Sequence, residues 1–153
     1  MNETFGLKTA MGQLIVRLED GYVVKIGFSE AEYGFYASSP SARQAKKELE
    51  EYFQKERQMF SFPYRIKGSA FALKVLETLK SKVPYGTTIS YKELAALAGS
   101  KGASRAVGTV MAKNPLPILF PCHRVIRSDG NLGEYAFGSD RKARLLELEK
   151  AAD

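Results

Sequence analysis

Apolar and polar residues alternate along residues 5–28. Leu14, Val16 and Leu18 share one face, and Val24, Ile26 and Phe28 form a second such set. A period of two predicts strands. Asp20-Gly21 between the sets predicts a hairpin turn, because glycine accepts a positive φ. Residues 29–40, rich in Ser, Gly and Ala, predict a loop. The period then lengthens: Ala45, Leu49, Tyr52 and Phe53 form one apolar stripe of a helix over residues 41–57. Phe60, Phe62 and Tyr64 predict a short extended segment, with Pro63 marking a sheet edge.

Helical spacing dominates the second half. Ser69 is placed to cap a helix reaching about Lys82, with Ala72, Val75, Leu76 and Leu79 toward the core, and Val83-Pro84-Tyr85-Gly86 stops it. Ser90 and Glu93 form a capping box for a short helix to about Ala98 that carries Leu94 and Leu97. A turn at residues 99–102 leads to a second short helix over residues 103–112. Two such helices joined by a glycine-containing turn predict a helix-turn-helix. Val125-Ile126-Arg127 predicts a strand, and residues 131–138 a loop. Ser139 is placed to cap a last helix to about Ala151, with Leu145, Leu146 and Leu148 buried. The fold class is thus a small α/β N-terminal lobe, residues 1–62, followed by a mainly helical C-terminal lobe, residues 63–153.

Charge separates the two parts. Residues 1–62 hold 8 Lys and Arg against 9 Asp and Glu, a balance of −1; residues 63–153 hold 15 against 8, a balance of +7, together the +6 of the chain. The C-terminal part is therefore the one that attracts a polyanion, although basic surface also serves plain solubility. No basic-then-apolar leader pattern opens the sequence, and no apolar run approaches the length of a membrane span. A soluble, cytoplasmic protein without membrane partners is expected. One cysteine excludes an internal disulfide. One cysteine with one histidine cannot furnish a Cys/His zinc site, so no metal is expected.

That cysteine and that histidine are adjacent. They stand in Asn114-Pro115-Leu116-Pro117-Ile118-Leu119-Phe120-Pro121-Cys122-His123-Arg124-Val125. A thiol attacks as thiolate, and a nearby imidazole and guanidinium, here His123 and Arg124, are groups that favour that form. Against this stands the ordinary buried cysteine, which is inert packing. On an extended segment, moreover, neighbouring side chains point to opposite faces, so His123 would reach the thiol through a water. Redox exchange wants a second thiol, which the chain lacks. Acyl transfer wants a returning water. Alkyl capture needs only the thiolate, a pocket and a polarised leaving group, and it ends in a thioether that no residue here cleaves.

The string Pro-Cys-His-Arg-Val resembles the active-site signature of the O6-alkylguanine-DNA alkyltransferases (methylated-DNA–protein-cysteine methyltransferases). The likeness is good over about residues 66–150 and looser before them. It implies a ribonuclease-H-like N-terminal lobe and a single-use DNA repair protein that acts as a monomer on double-stranded DNA containing O6-alkylguanine, without a cofactor. By resemblance, Cys122 is the alkyl acceptor, His123 its water-mediated base, and Glu149 the carboxylate orienting His123, with Glu147 as a rival. Tyr91 corresponds to the tyrosine that helps turn out the nucleotide and gives a proton to the guanine ring. Arg105 corresponds to the arginine that fills the space of the extruded base. Ser90, Ala103, Ser104, Ala106 and Lys113 fall at DNA-facing positions. Asn114 corresponds to the asparagine tying the recognition helix to the active-site strand. Met111, Pro117, Val125, Tyr135, Ala136 and Phe137 fall where the family lines its pocket. Phe137 departs from the small residues usual there, and it predicts that methyl lesions react readily and benzyl-like ones poorly.

The small residues Ala103, Ala106 and Gly108 fit two situations. One is close packing inside the protein; the other is close approach of the helix to DNA by shape and phosphate, with the minor groove as a candidate. Three other activities remain open at this point. They are a recognition protein that binds alkylated bases without transfer, a cysteine hydrolase using Cys122 and His123, and a sequence-reading regulator.

Overall fold

The computed structural model describes residues 2–150 as a mixed α/β protein, in two compact units, Met1–Ile66 and Lys67–Asp153. In the first unit, strands β1 (Asn2–Thr9), β2 (Gly12–Glu19) and β3 (Tyr22–Phe28) form an antiparallel meander in that order. Phe5, Leu7, Leu14, Val16, Leu18, Val23 and Ile26 are buried on one side of it. Helix α1 (Pro40–Phe53) packs on β1 and β3 through Ala42, Ala45, Leu49 and Tyr52. The sheet edge is lengthened at Tyr64, where Val23 donates to the Pro63 carbonyl (2.9 Å) and Arg65 donates to that of Val23 (3.0 Å).

Two expectations need correction here. Val23, not Val24, is the inward residue, because the register slips between Arg17 and Leu18: Arg17 faces Lys25 while Leu18 faces Val23. Val24 is the extra residue of a bulge, and a bulge flips the alternation that a strict period of two assumes. Helix α1 also ends at Phe53, short of residue 57. Lys55 takes a left-handed φ of 63°, which stops a right-handed helix.

The second unit holds helices α2 (Ala70–Lys82), α3 (Tyr91–Leu97), α4 (Ser104–Ala112) and α5 (Ser139–Glu149). A two-stranded parallel pairing links β4 (Ile89–Ser90) with β5 (Val125–Ile126). The Ser69 cap of α2 and the Ser90–Glu93 capping box of α3 form as the sequence predicts. Ser139 does not cap α5; Gly138 occupies that position at φ 95°, and Ser139 is the first helical residue. Leu97 is 54% exposed, and Ala95 takes the inward place beside Leu94. Ala72 is only half-buried. On α5 the inward residues are Lys142, Leu145 and Glu149, while Leu146 and Leu148 are half-buried. Residue 151, where that helix was expected to end, lies outside the described residues. No helix among the described residues is long and apolar enough to cross a membrane.

The first unit is closed by one buried carboxylate. Glu48 accepts from the main-chain N–H groups of Ser61 (2.7 Å) and Phe62 (3.2 Å), and from the Ser61 hydroxyl and the Gln44 amide. Burial opposes its charge, but these donors outweigh burial and hold its pKa below the usual carboxylate value. Glu48→Ala leaves the Phe62 N–H buried without an acceptor. It is expected to lower unfolding stability by about 2–3 kcal/mol in urea titration.

Candidate active site

The reactive segment begins where α4 ends. Asn114 closes a loop on itself: its Oδ1 accepts from the Leu116 N–H (3.0 Å), and its Nδ2 donates to the Phe120 carbonyl (2.8 Å). Phe120 N–H donates back to Leu116 (2.9 Å), and the five residues from Leu116 to Phe120 are buried. Ile118 sits at φ 77°, a conformation that a β-branched residue adopts at a cost of about 1–3 kcal/mol. The loop therefore holds this geometry against local preference. Cys122 N–H then donates to the Phe120 carbonyl (2.7 Å), and Cys122–Arg124 wind into one turn of 3-10 helix. The segment is not extended. Successive side chains diverge by about 120°, so Cys122 reaches a cleft while His123 and Arg124 turn elsewhere.

Both turn to Glu149. His123 Nε2 lies 2.6 Å from Glu149 Oε2, and Arg124 clasps the same carboxylate through Nε (2.7 Å) and Nη2 (3.0 Å). The remaining Arg124 Nη1 donates to the Val83 carbonyl (2.8 Å). Glu147 is exposed and faces Lys150, so Glu149 is the carboxylate at the histidine. Gly86 passes this corner at φ 81°, where an added Cβ would lie 3.2 Å from the Glu149 carbonyl. A side chain there would be strained twice, by conformation and by contact.

Burial raises the Glu149 pKa, but the bonds from His123 and Arg124 outweigh it and hold the carboxyl down at about 2. Burial pulls His123 below its ordinary value, against the opposing pull of Glu149, so the imidazole is neutral at pH 7. An ionised carboxylate only accepts, so the Nε2 atom carries the proton and Nδ1 holds a lone pair. That Nδ1 has no hydrogen-bond partner among the described residues. Its lone pair is able to accept a proton.

The thiol differs from the sequence expectation. Burial pushes Cys122 up to about 11. Arg124 does not relieve this, because its donors are committed to Glu149 and Val83. The groups that favour the thiolate are Asn114, through its side chain, and Lys142. Lys142 is wholly buried; its ammonium donates to the carbonyls of Val125 (2.6 Å) and Glu134 (3.1 Å) and stands 5.7 Å from the centre of the Tyr91 ring. Sequence reasoning missed it. The signal was there, in a lysine three residues before Leu145 and seven before Glu149, on the one inward stripe of α5.

The cleft beside Cys122 encloses about 950 Å³. Met111, Tyr135 and Ala136, expected in the pocket, line it, and so do Tyr91, Ser104 and Arg105, expected to face DNA; Lys92, Gly108, Thr109, Ala112, Arg127, Ser128 and Glu134 join them and were not foreseen. Pro117 and Val125 are buried outside that lining. Phe137 also stands outside it and leans edge-on against Tyr135, with ring centres 5.8 Å apart. Ser90 is occupied as the N-cap of α3. Ala106 and Lys113 are exposed, and Ala103 is half-buried at the start of α4. Tyr135 keeps a buried hydroxyl with no partner among the described residues. Gly133, at φ 76°, lets Tyr91 close in: an added Cβ would stand 3.3 Å from the Tyr91 hydroxyl. Gly108 is the reverse case. A Cβ there meets nothing within 4 Å, so its smallness serves no packing inside the protein. No group of three metal-ligating side chains occurs among the described residues.

The depressed Glu149 pKa fixes a pH dependence. Stability from this group is fully present above its unfolded value near 4.5 and is lost as pH falls toward about 2. Urea titrations across that window are expected to show a loss on the order of 3 kcal/mol that is absent in Glu149→Gln. The variant is less stable than the parent at pH 7, because Arg124 is left buried without its anion.

Known proteins resemble this chain in sequence and fold. Residues 70–151 match the family profile described as 6-O-methylguanine DNA methyltransferase, DNA binding domain. The constitutive methylated-DNA–protein-cysteine methyltransferase of Bacillus subtilis is 36% identical over 160 residues, covering 98% of this chain and 96% of the relative. The enzyme of that name from Methanosarcina barkeri is 44% identical over 108 residues, covering 71% of this chain and 68% of its own. The crystal structure of Mycobacterium tuberculosis O6-methylguanine methyltransferase superposes with a TM-score of 0.87 at 33% identity, covering 100% of this chain and 97% of that one. A structure of the M. tuberculosis protein in complex with DNA gives 0.86, also at 33% identity, over 96% and 92% of the two chains. On its thiol, its paired imidazole and carboxylate and these likenesses, the chain belongs to the methylated-DNA–protein-cysteine methyltransferase family.

Proposed function

We propose that this protein repairs DNA by moving the alkyl group of O6-alkylguanine, chiefly methyl, onto its own Cys122. One observation carries the reading: a cleft-lining thiol precedes a neutral buried imidazole whose unprotonated Nδ1 has no hydrogen-bond partner among the described residues. The thiol proton passes to His123 Nδ1 through a water. Glu149 stabilises the imidazolium that results. The sulfur attacks the alkyl carbon, the carbon–O6 bond breaks as the carbon–sulfur bond forms, and the electron pair stays with the guanine. Tyr91, whose hydroxyl burial keeps protonated, gives a proton to the ring and regains one from water, while the imidazolium of His123 gives its proton to water. Guanine is restored, the thioether persists, and each molecule acts once. The balance needs no cofactor.

A base stacked in a duplex does not present its O6 substituent in line with a sulfur, so the nucleotide must be flipped into the cleft. Helices α3 and α4 serve as the helix-turn-helix of the DNA-binding lobe. Open space at Gly108 favours the exterior use of the small residues, with Arg105 beside it on the exposed face. Arg105 fills the gap left by the flipped base, and Ser104, Ala106 and Lys113 meet the backbone. Tyr135, Ala136 and Met111 bound the base pocket, over Pro117 and Val125. Asn114 ties the end of α4 to the segment that carries the nucleophile. Residues 1–62 act as a ribonuclease-H-like packing lobe, and residues 63–153 carry DNA binding and transfer. The protein works as a cytoplasmic monomer.

Mass spectrometry with peptide mapping tests the transfer, after mixing with a duplex holding one O6-methylguanine. One methyl replacing one hydrogen, on Cys122 and saturating at one per chain, is expected. An unchanged mass with tight lesion binding means recognition alone; methanol released beyond one per chain means a hydrolase. A second test uses Gly108→Gln. It is expected to keep or raise helix stability, by roughly 0.5–1 kcal/mol at most. Duplex affinity is expected to fall at least tenfold by fluorescence anisotropy, because the new side chain occupies the open face.

A further inference from the structure

Two side chains meet at one bare stretch of backbone in the cleft. Gly133, at φ 76°, passes so close that an added Cβ would stand 3.3 Å from the Tyr91 hydroxyl and 3.5 Å from Arg127 Cγ. The phenol oxygen and the arginine stem thus crowd the same glycine. Arg127 is also fixed at its root. Its N–H donates to the Asn131 carbonyl (2.9 Å) and its carbonyl accepts from the Gly130 N–H (3.0 Å), which closes the turn after β5. The one acid of that turn, Asp129, is taken by Asn131, through the main-chain N–H (3.0 Å) and the side-chain amide (3.1 Å). The Arg127 side chain forms no hydrogen bond or ion pair among the described residues. It is an exposed cation that lines the cleft with Tyr91 and Cys122.

We propose that Arg127 is a positioning residue for the proton donor: its guanidinium answers the charge left on the Tyr91 oxygen when that proton goes to the guanine ring. The inference rests on the alkyl-transfer reading and adds to it what makes the tyrosine a usable acid. In the step, the Tyr91 O–H bond breaks, its proton passes to the ring, and the electron pair stays on oxygen until water returns a proton. A phenolate is therefore made in a half-buried place. Burial opposes it, as do charges on Cys122 and Glu134, and Arg127 is the group that favours it. An opposite charge close by lets such an acid ionise, and a general acid works best when its pKa lies near the working pH. Lys142 on α5 stands over the ring face, 5.7 Å from its centre, with two donors held by the carbonyls of Val125 and Glu134. Lys92 on the same helix and Arg105 on α4 complete the charged groups of this wall of the cleft. A phosphate contact is the other use open to an exposed arginine beside DNA, and the two uses part in the experiment.

The test uses the full chain with a fluorinated tyrosine in place of Tyr91. Its phenol is far more acidic than that of tyrosine, and its 19F resonance titrates near neutral pH. The midpoint is followed in the parent, in Arg127→Met and in Arg127→Lys. Arg127→Met is expected to raise it by about 0.5–1 unit and Arg127→Lys by less, with added salt shrinking the difference. In the unlabelled chain, single-turnover transfer from saturating O6-methylguanine duplex at pH 7 is expected to slow about three- to tenfold in Arg127→Met. The loss lies in the rate at saturation, not in affinity, and it is expected to vanish in a Tyr91→Phe background. An unchanged midpoint overturns the proposal, as does an equal loss with and without the Tyr91 hydroxyl. A fall in duplex affinity with the parent midpoint and the parent rate at saturation assigns Arg127 to a phosphate and overturns it too. The titration needs no DNA. A parent that transfers no methyl refutes the repair reading, and the midpoint still decides the pairing.

Discussion

An ionised carboxylate at 1% exposure has to be answered by its surroundings, and at Glu149 the answer organises the second unit. Unmatched, such a charge costs several kcal/mol; matched by a guanidinium fork and an imidazole, it becomes a joint between elements far apart in sequence. Glu149 ends α5, His123 and Arg124 form the reactive turn, and Val83, which takes the last Arg124 donor, closes α2. Three chain segments are thus fixed by one side chain. The same joint sets the chemistry. Because the carboxylate accepts only, it dictates the histidine tautomer, and the tautomer decides which nitrogen is left to take a proton.

The nucleophile is held by a second device, independent of the first. Asn114 replaces the hydrogen bonds of a regular element with two from its side chain, and the loop it closes tolerates a left-handed isoleucine. Local strain persists where surrounding packing over-determines it. Here the packing is Leu116, Leu119 and Phe120, all buried. The thiol is accordingly delivered on a rigid support. Tyr91 is pressed just as closely by the bare backbone of Gly133. The thiol and the tyrosine proposed as proton donor stand ready before any substrate arrives.

Much of this was legible in the chain. The capping residues Ser69 and Ser90 marked their helices because a side-chain oxygen at an N-cap answers orphan N–H groups wherever it occurs. The Pro-Cys-His-Arg-Val string marked the cysteine that lines the cleft and, beside it, the histidine proposed as its base. What failed to show has physical reasons. The bulge at Val24 shifts a register without leaving a turn signal, so strict alternation chose the wrong valine. The 3-10 turn at Cys122 reversed the assumption of opposed side chains, and Arg124 proved to serve the carboxylate instead of the thiol. On α5 the leucines drew attention from the inward stripe, Lys142, Leu145 and Glu149, on which two of three residues are charged. Apolar periodicity looks past such a stripe. Charges at core spacing are the sign that the core there is a site.

Glu149 has one further consequence. The carboxylate that fixes the histidine tautomer stands on the last helix, while the thiol stands on the turn before it. A chain still being made therefore exposes its cysteine before the partner of its histidine exists. The thiol is among the earlier parts of the second unit to emerge, and its surroundings are complete only when α5 has closed over them.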